Sequence, residues 1–341
     1  MKMSVKDCCQ SELEWTYSSF LKQINGRESP TLGGVVKNWI QDNLKKVDSL
    51  ILHCDIRVVE AHSKDSARAL RLTITCPKCG TTSNMLILTA NLMLMNWRLG
   101  FLAAQMFDGT KIREPTSNDM LELRAIVNSY LNDTPDWLDL QQLQTIANQY
   151  HNRDVMEALL HAQMAGTAWI LLHELAHSIE ESLPDSQEFA QIRQTAESYV
   201  VELDLDPLIE QQWIDEFVAD LWALRMLING IAISRNNDKT LPAEQRRESA
   251  IIALGGVGSV LNCLMFIRDR SLENADQYDE KLLKHPPNTL RANLACQFAS
   301  IYTKHPLDRI SGTMNLFGTA GDLVRKEYLK DSYGNHGVPT S

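Results

Sequence analysis

Residues 155–181 run for 27 positions without a proline, and they contain Ala168-Trp169-Ile170-Leu171-Leu172-His173-Glu174-Leu175-Ala176-His177. The Ala168–Leu172 stretch is apolar on every face, as expected of a buried helix that holds its side chains rigidly. On that helix His173 and His177 stand at i and i+4, so both imidazoles lie on one face and can share one metal ion. Glu174 falls beside the metal rather than on it, where its carboxylate can accept a proton from an attacking water. The other reading of the two histidines is a pair of packed core residues.

Two imidazoles do not complete a catalytic metal site, which needs a third protein ligand and an open position. A second strongly helical stretch, Trp213–Leu221, places Glu216 and Asp220 at i and i+4 on one face. Glu216 can be the third ligand, and Asp220, one turn on, can accept the N–H of a ligating imidazole and fix its tautomer. Both could otherwise be solvated helix carboxylates. A third histidine of the His-x-x-Gly-x-x-His kind is excluded, because Glu180 and Leu183 occupy those positions. Asp215 points about a hundred degrees from Glu216 and reads as a first-turn helix residue.

His173-Glu174-Leu175-Ala176-His177 followed by a helix with Glu216 and Asp220 resembles the gluzincin metallopeptidases. His285-Pro286-Pro287-Asn288-Thr289-Leu290-Arg291, opening a later helix, is similar to the His-Pro-(Pro/Ser)-x-x-x-Arg segment of CAAX-prenyl-protease-like peptidases and of Lit-type phage-exclusion peptidases. The resemblance spans about 120 residues, Trp169 to Arg291, and leaves the N-terminal part unaccounted for. It implies zinc on His173, His177 and Glu216, with Glu174 polarising the attacking water. It also implies that His285 donates a hydrogen bond to the developing oxyanion and that Arg291 anchors its segment or contacts substrate. A histidine before two prolines can equally be a loop end and helix start; His305 also precedes a proline.

The remaining sequence bounds the setting. The chain has 341 residues, 44% hydrophobic and 22% charged, enough for a sizeable core. With 33 basic against 43 acidic residues the net charge is −10, and no basic block interrupts it, so nucleic acid is not expected as a partner. Seven cysteines, an odd number, argue against a disulfide scaffold and for a reducing compartment. The opening MKMSVKDCCQSELEW lacks the apolar core of a secretory signal, and a cytoplasmic location is expected. CAAX-type relatives are multi-span membrane proteins. Here Met85–Met106 is interrupted by Asn91, Asn96 and Arg98. Ser249–Ile267, uncharged over 19 residues, contains Ser249, Ser259, Asn262 and three glycines and lacks aromatic belts. We read it as a buried helix, and expect no membrane partner and a protein or peptide substrate.

The expected fold class is α+β. A small α/β region over residues 1–115 carries strands at Leu50–Val59, Ala69–Thr75 and Met85–Thr89 as an antiparallel meander. A mostly helical, zincin-like peptidase domain follows over 116–330, then a loose tail at 331–341. Its expected helices are Asp119–Leu131, Leu138–Tyr150, Val155–Glu181, Ser186–Val201, Leu208–Ile228, Arg247–Ile267 and Asn288–Thr303, separated by proline-containing breaks. Cys76-Pro77-Lys78-Cys79-Gly80, at the second turn of the meander, has the form of a zinc knuckle. No second Cys-x-x-Cys exists, so a structural zinc on Cys76 and Cys79 would need Cys54 with His53, Cys8 or Cys9. The alternatives are a pair of reduced thiols or, without a thioredoxin-like surround, a redox dithiol. Cys263 and Cys296 read as small core residues, and His161 as packing or surface. A different class of function, a zinc-binding sensor that recognises a partner without turnover, is opposed by the intact Glu174 and ligand set.

Overall fold

The computed structural model describes residues 7–43, 55–61, 69–76, 80, 82–106, 116–121, 125, 153–182, 187–203, 205–237, 251–261, 264 and 285–314. In chain order the elements are α1 (Asp7–Gln23), β1 (Gly26–Glu28), α2 (Pro30–Asn43), β2 (Asp55–Ala61), β3 (Ala69–Thr75) and β4 (Thr82–Thr89). They continue with α3 (Ala90–Met106), α4 (Arg153–Ser182), α5 (Gln187–Val201), α6 (Pro207–Asn237) and α7 (Asn288–Thr303). Residues 117–121, 251–261 and 307–314 are also helical. Among the described residues the protein is mostly helical with one small mixed sheet, an α+β arrangement.

The helices carry local start signals. Pro30 and Pro207 open α2 and α6, where a missing N–H costs nothing. Ahead of α6, Asp206 Oδ1 accepts the Leu208 N–H at 2.9 Å. Pro287 is the N-cap of α7, and its carbonyl accepts the amides of Leu290 and Arg291. The helix expected at Leu138–Tyr150 and the tail at 331–341 lie outside the described residues. Of Asp119–Leu131 and Arg247–Ile267, the described parts are helical.

The sheet departs from the expected meander. Its order is β1-β2-β4-β3, with β2 parallel to β4, β3 antiparallel to β4, and the short β1 antiparallel to β2. Apolarity explains which strand is central. Met85, Leu86, Ile87 and Leu88 of β4 are all buried, and alternate residues enter different cores: Leu86 and Leu88 one, Met85 and Ile87 the other. A strand apolar on both faces belongs in the middle of a sheet. A meander would instead have centred β3, whose Arg71 and Thr73 suit an edge.

α1 covers one face of the sheet through Leu13 and Tyr17. The other face adjoins the main core, which runs from Leu32, Val36 and Ile40 of α2 through α4 and α6 to Leu294 of α7. α4 lies against α2, α3, α6, β3 and β4. Trp169, Leu172, Ala176, Phe217, Leu221 and Trp222 fill the α4–α6 part of that core and are buried. Each fully buried large side chain stabilises by about 1.5–3 kcal/mol, so this packing holds the two helices in one register. α4 also meets the 251–261 helix backbone to backbone: a Cβ on Gly256 would sit 1.7 Å from the Ala162 carbonyl oxygen. That contact accounts for Gly256, and residues 251–261 are buried apart from Ile252. Among the described residues no helix is long and apolar enough to cross a membrane.

Candidate metal centre

The α4–α6 register brings His173 and His177 opposite Glu216. One ligand atom from each lies within 4.8 Å of the others, and the three could hold a metal ion. His173 Nε2 is 3.3 Å from His177 Nε2 and 3.5 Å from Glu216 Oε2, while His177 Nε2 is 3.7 Å from Glu216 Oε1. Ligands bound at about 2.1 Å to a tetrahedral ion are roughly 3.4 Å apart, so these separations suit one small divalent cation. Glu216 Oε2 is buried without a hydrogen-bond partner among the described residues, although His285 Nδ1 approaches to 3.0 Å.

Asp220 sets the chemistry of His173. Its carboxylate is 3% exposed and, being ionised, can only accept, so His173 Nδ1–H donates to Asp220 Oδ1 at 2.8 Å. The lone pair of His173 Nε2 therefore faces Glu216 and His177. Asp220 is itself held from two sides. Arg291 Nε and Nη2 donate to Oδ2 and Oδ1 at 2.7 and 2.6 Å, a bidentate fork, and the Trp169 indole N–H donates to the Asp220 backbone carbonyl at 3.3 Å. The Arg291 guanidinium also stands over the Trp169 ring at 5.7 Å and reaches Asn288 Oδ1 at 3.5 Å.

The charges follow this geometry. Burial works to raise Asp220, but Arg291 and His173 outweigh it and hold the carboxyl below its ordinary range. Burial likewise opposes ionised Glu216, and His285, His173 and Arg291 overcome it, so this carboxyl also lies well below the usual range. Burial would lower His173, yet the hydrogen bond and charge of Asp220, aided by Glu216, raise it. Burial, and then the neighbouring His173 charge, push His177 down to about 4. Glu174 is raised, chiefly by burial. The negative charges that favour a proton on His173 equally favour a cation at its Nε2.

A pH dependence of metal binding follows. Binding must displace the His173 proton, whereas His177 is already neutral above about 4. Affinity for a divalent ion is expected to fall about tenfold per pH unit as pH drops below the raised His173 pKa. Competition with a chromophoric chelator from pH 8 to pH 5 measures this, and a flat profile would refute it.

The chain matches no family model, no curated protein and no solved structure.

Other residues singled out by sequence fall as follows. His285, with its side chain 62% exposed, approaches Glu216 but lies outside the three-atom group. Arg291 is buried against Asp220. Asp215 turns away and accepts from Arg193 and Gln211. His161 is buried beside the Trp39 ring at 5.5 Å. Cys296 is buried, with Sγ 3.1 Å from Met314 Sδ. Cys76 is buried, and its carbonyl accepts the Gly80 amide at 2.8 Å; Gly80 itself has a φ of +68°, a conformation that favours glycine. Cys79, Cys54, His53 and Cys263 lie outside the described residues, as do the side chains of Cys8 and Cys9. Among the described residues, the group on α4 and α6 is the one cluster able to hold a metal.

Sequence reasoning missed the Trp169 and Asn288 contacts and the target of Arg291. The spacing of Asn288 and Arg291 at i and i+3 was the available signal for their pairing. Nothing local indicates that Arg291 reaches Asp220.

Proposed function

We propose that the protein is a zinc-dependent endopeptidase of gluzincin type, built on a zincin-like helical core and acting on protein or peptide substrates in the cytoplasm. The observation that carries this reading is the convergence of His173, His177 and Glu216, with the motif carboxylate of Glu174 on the same helix. Two imidazoles and one carboxylate are a donor set suited to zinc and leave a position open.

When bound, zinc would supply Lewis acidity, activating a water and polarising the substrate carbonyl. The other roles belong to this chain's residues. The Glu174 carboxylate takes the proton of the attacking water and delivers it to the leaving amine. Its raised pKa suits it to hold that proton between the two steps. Asp220 keeps the proton of His173 on Nδ1 and so keeps Nε2 available as a ligand. His285, exposed beside Glu216, would donate to the developing oxyanion.

Metal content by mass spectrometry tests the site. One zinc per chain is expected in the wild type and none in His173→Ala/His177→Ala. Loss of zinc in Cys76→Ser/Cys79→Ser, with retention in the histidine variant, would overturn the assignment. Two zincs, one lost in each variant, would keep it and add a structural knuckle.

A further inference from the structure

Trp169 stands one turn before His173 on α4, so the two side chains share a helix face. It is 1% exposed and touches groups from three helices. Its ring lies 6.0 Å from the His173 ring, tilted by 47°, and 5.7 Å from the Arg291 guanidinium of α7. Its indole N–H donates to the backbone carbonyl of Asp220 on α6 at 3.3 Å. A leucine or phenylalanine at this place would also be apolar, but neither carries an N–H to reach α6.

Asp220 is thereby held to α4 at two points. Its carboxylate accepts His173 Nδ1–H at 2.8 Å, and its backbone carbonyl accepts from Trp169 one turn earlier. A single hydrogen bond would leave the carboxylate able to pivot. A second one from the same helix fixes both its distance and its angle to the imidazole. Arg291 grips the same carboxylate with its fork and rests over the Trp169 ring, so one side chain seats the guanidinium as well. The partner at Nδ1 sets where His173 Nε2 points, and any shift of Asp220 is passed on to that ligand atom.

We propose that Trp169 is a positioning residue of the metal centre, acting through Asp220 to aim His173 Nε2 at the ion. The inference rests on the metal-binding half of the reading above and not on peptide cleavage, so its test reads metal affinity. Full-length protein stripped of metal is titrated with zinc against a chromophoric chelator at neutral pH. Urea unfolding of each variant, run in parallel, ensures that only folded protein is compared. Trp169→Phe keeps an aromatic ring and removes the N–H. Trp169→Met removes both and adapts to the space left behind.

Trp169→Phe is expected to weaken zinc binding about three- to tenfold, the worth of one neutral hydrogen bond. Trp169→Met should weaken it about 10–100-fold, as loss of an outer partner of a ligand does. The background Asp220→Ala/Arg291→Met removes the carboxylate without stranding its guanidinium. There Trp169→Phe should change affinity by less than about twofold, because nothing is left for it to position. Wild-type zinc affinity in a folded Trp169→Phe or Trp169→Met protein would overturn the inference. A loss of equal size with and without Asp220 would also overturn it, since Trp169 would then serve only as packing. Wild-type protein that binds no zinc would instead remove the metal centre, and this inference with it.

Discussion

Glu174→Gln is expected to retain the wild-type zinc content and to lose peptide hydrolysis by about 10²–10⁴-fold in kcat/KM, the usual worth of a positioned general base. The amide is nearly the same size as the carboxylate, and Glu174 lies outside the group that could hold the ion, so binding should survive. The amide has no basic oxygen able to take a proton from water at neutral pH. Burial raises the Glu174 carboxyl, so in the native protein the group is a better base than an exposed glutamate and can retain the proton it receives. Parallel assays of zinc content and peptide cleavage check this. Cleavage at the wild-type rate by the glutamine variant would remove Glu174 from the mechanism.

Arg291→Met should have the largest effect on stability. The Asp220 carboxylate is 3% exposed and accepts both donors of the Arg291 fork. Without the guanidinium, a buried negative charge keeps only His173 as a close partner, a change that costs about 3–5 kcal/mol. Total stabilities are about 5–15 kcal/mol, so a loss of that size is readily measured by urea unfolding. Zinc affinity should fall as well, by about 10–100-fold, because Asp220 orients His173. The double variant Asp220→Asn/Arg291→Met should lose less stability than the single changes combined, since it strands no charge.

The sign of the pH effect follows from Asp220. Its folded pKa lies below the ordinary value, so the stabilisation is fully present above about pH 4 and is lost as pH falls through the lower folded value. The advantage of the wild type over Arg291→Met should therefore shrink only in acid. An Arg291→Met protein with wild-type stability and wild-type zinc affinity would refute this account.

The features legible in the sequence are those governed by a few neighbouring residues. Apolar periodicity and flanking prolines place α4, α5, α6 and α7 within a few residues, apart from the longer C-terminal end of α6. The i, i+4 spacing puts His173 with His177, and Glu216 with Asp220, on single helix faces. Such relations depend on backbone geometry alone and hold wherever the helix sits.

Apart from Glu216 and Asp220, which the needs of a metal site assigned to the histidines, relations between distant segments were not legible, because side-chain spacing carries no information about which element packs against which. The sheet shows this most plainly. Three strands were recognised, but their order depends on burying β4 on both faces, and Gly26–Glu28 is too short to announce itself. The site shows it too. That α4 and α6 face each other depends on their shared apolar core, and the partnership of Asp220 with Arg291 spans 71 residues. The chain's own sequence is thus enough to specify a helix bearing two imidazoles and a glutamate. Packing is what sets Glu216 within 3.5 Å of His173 and clamps Asp220 behind it, because burial of apolar surface fixes how distant elements meet.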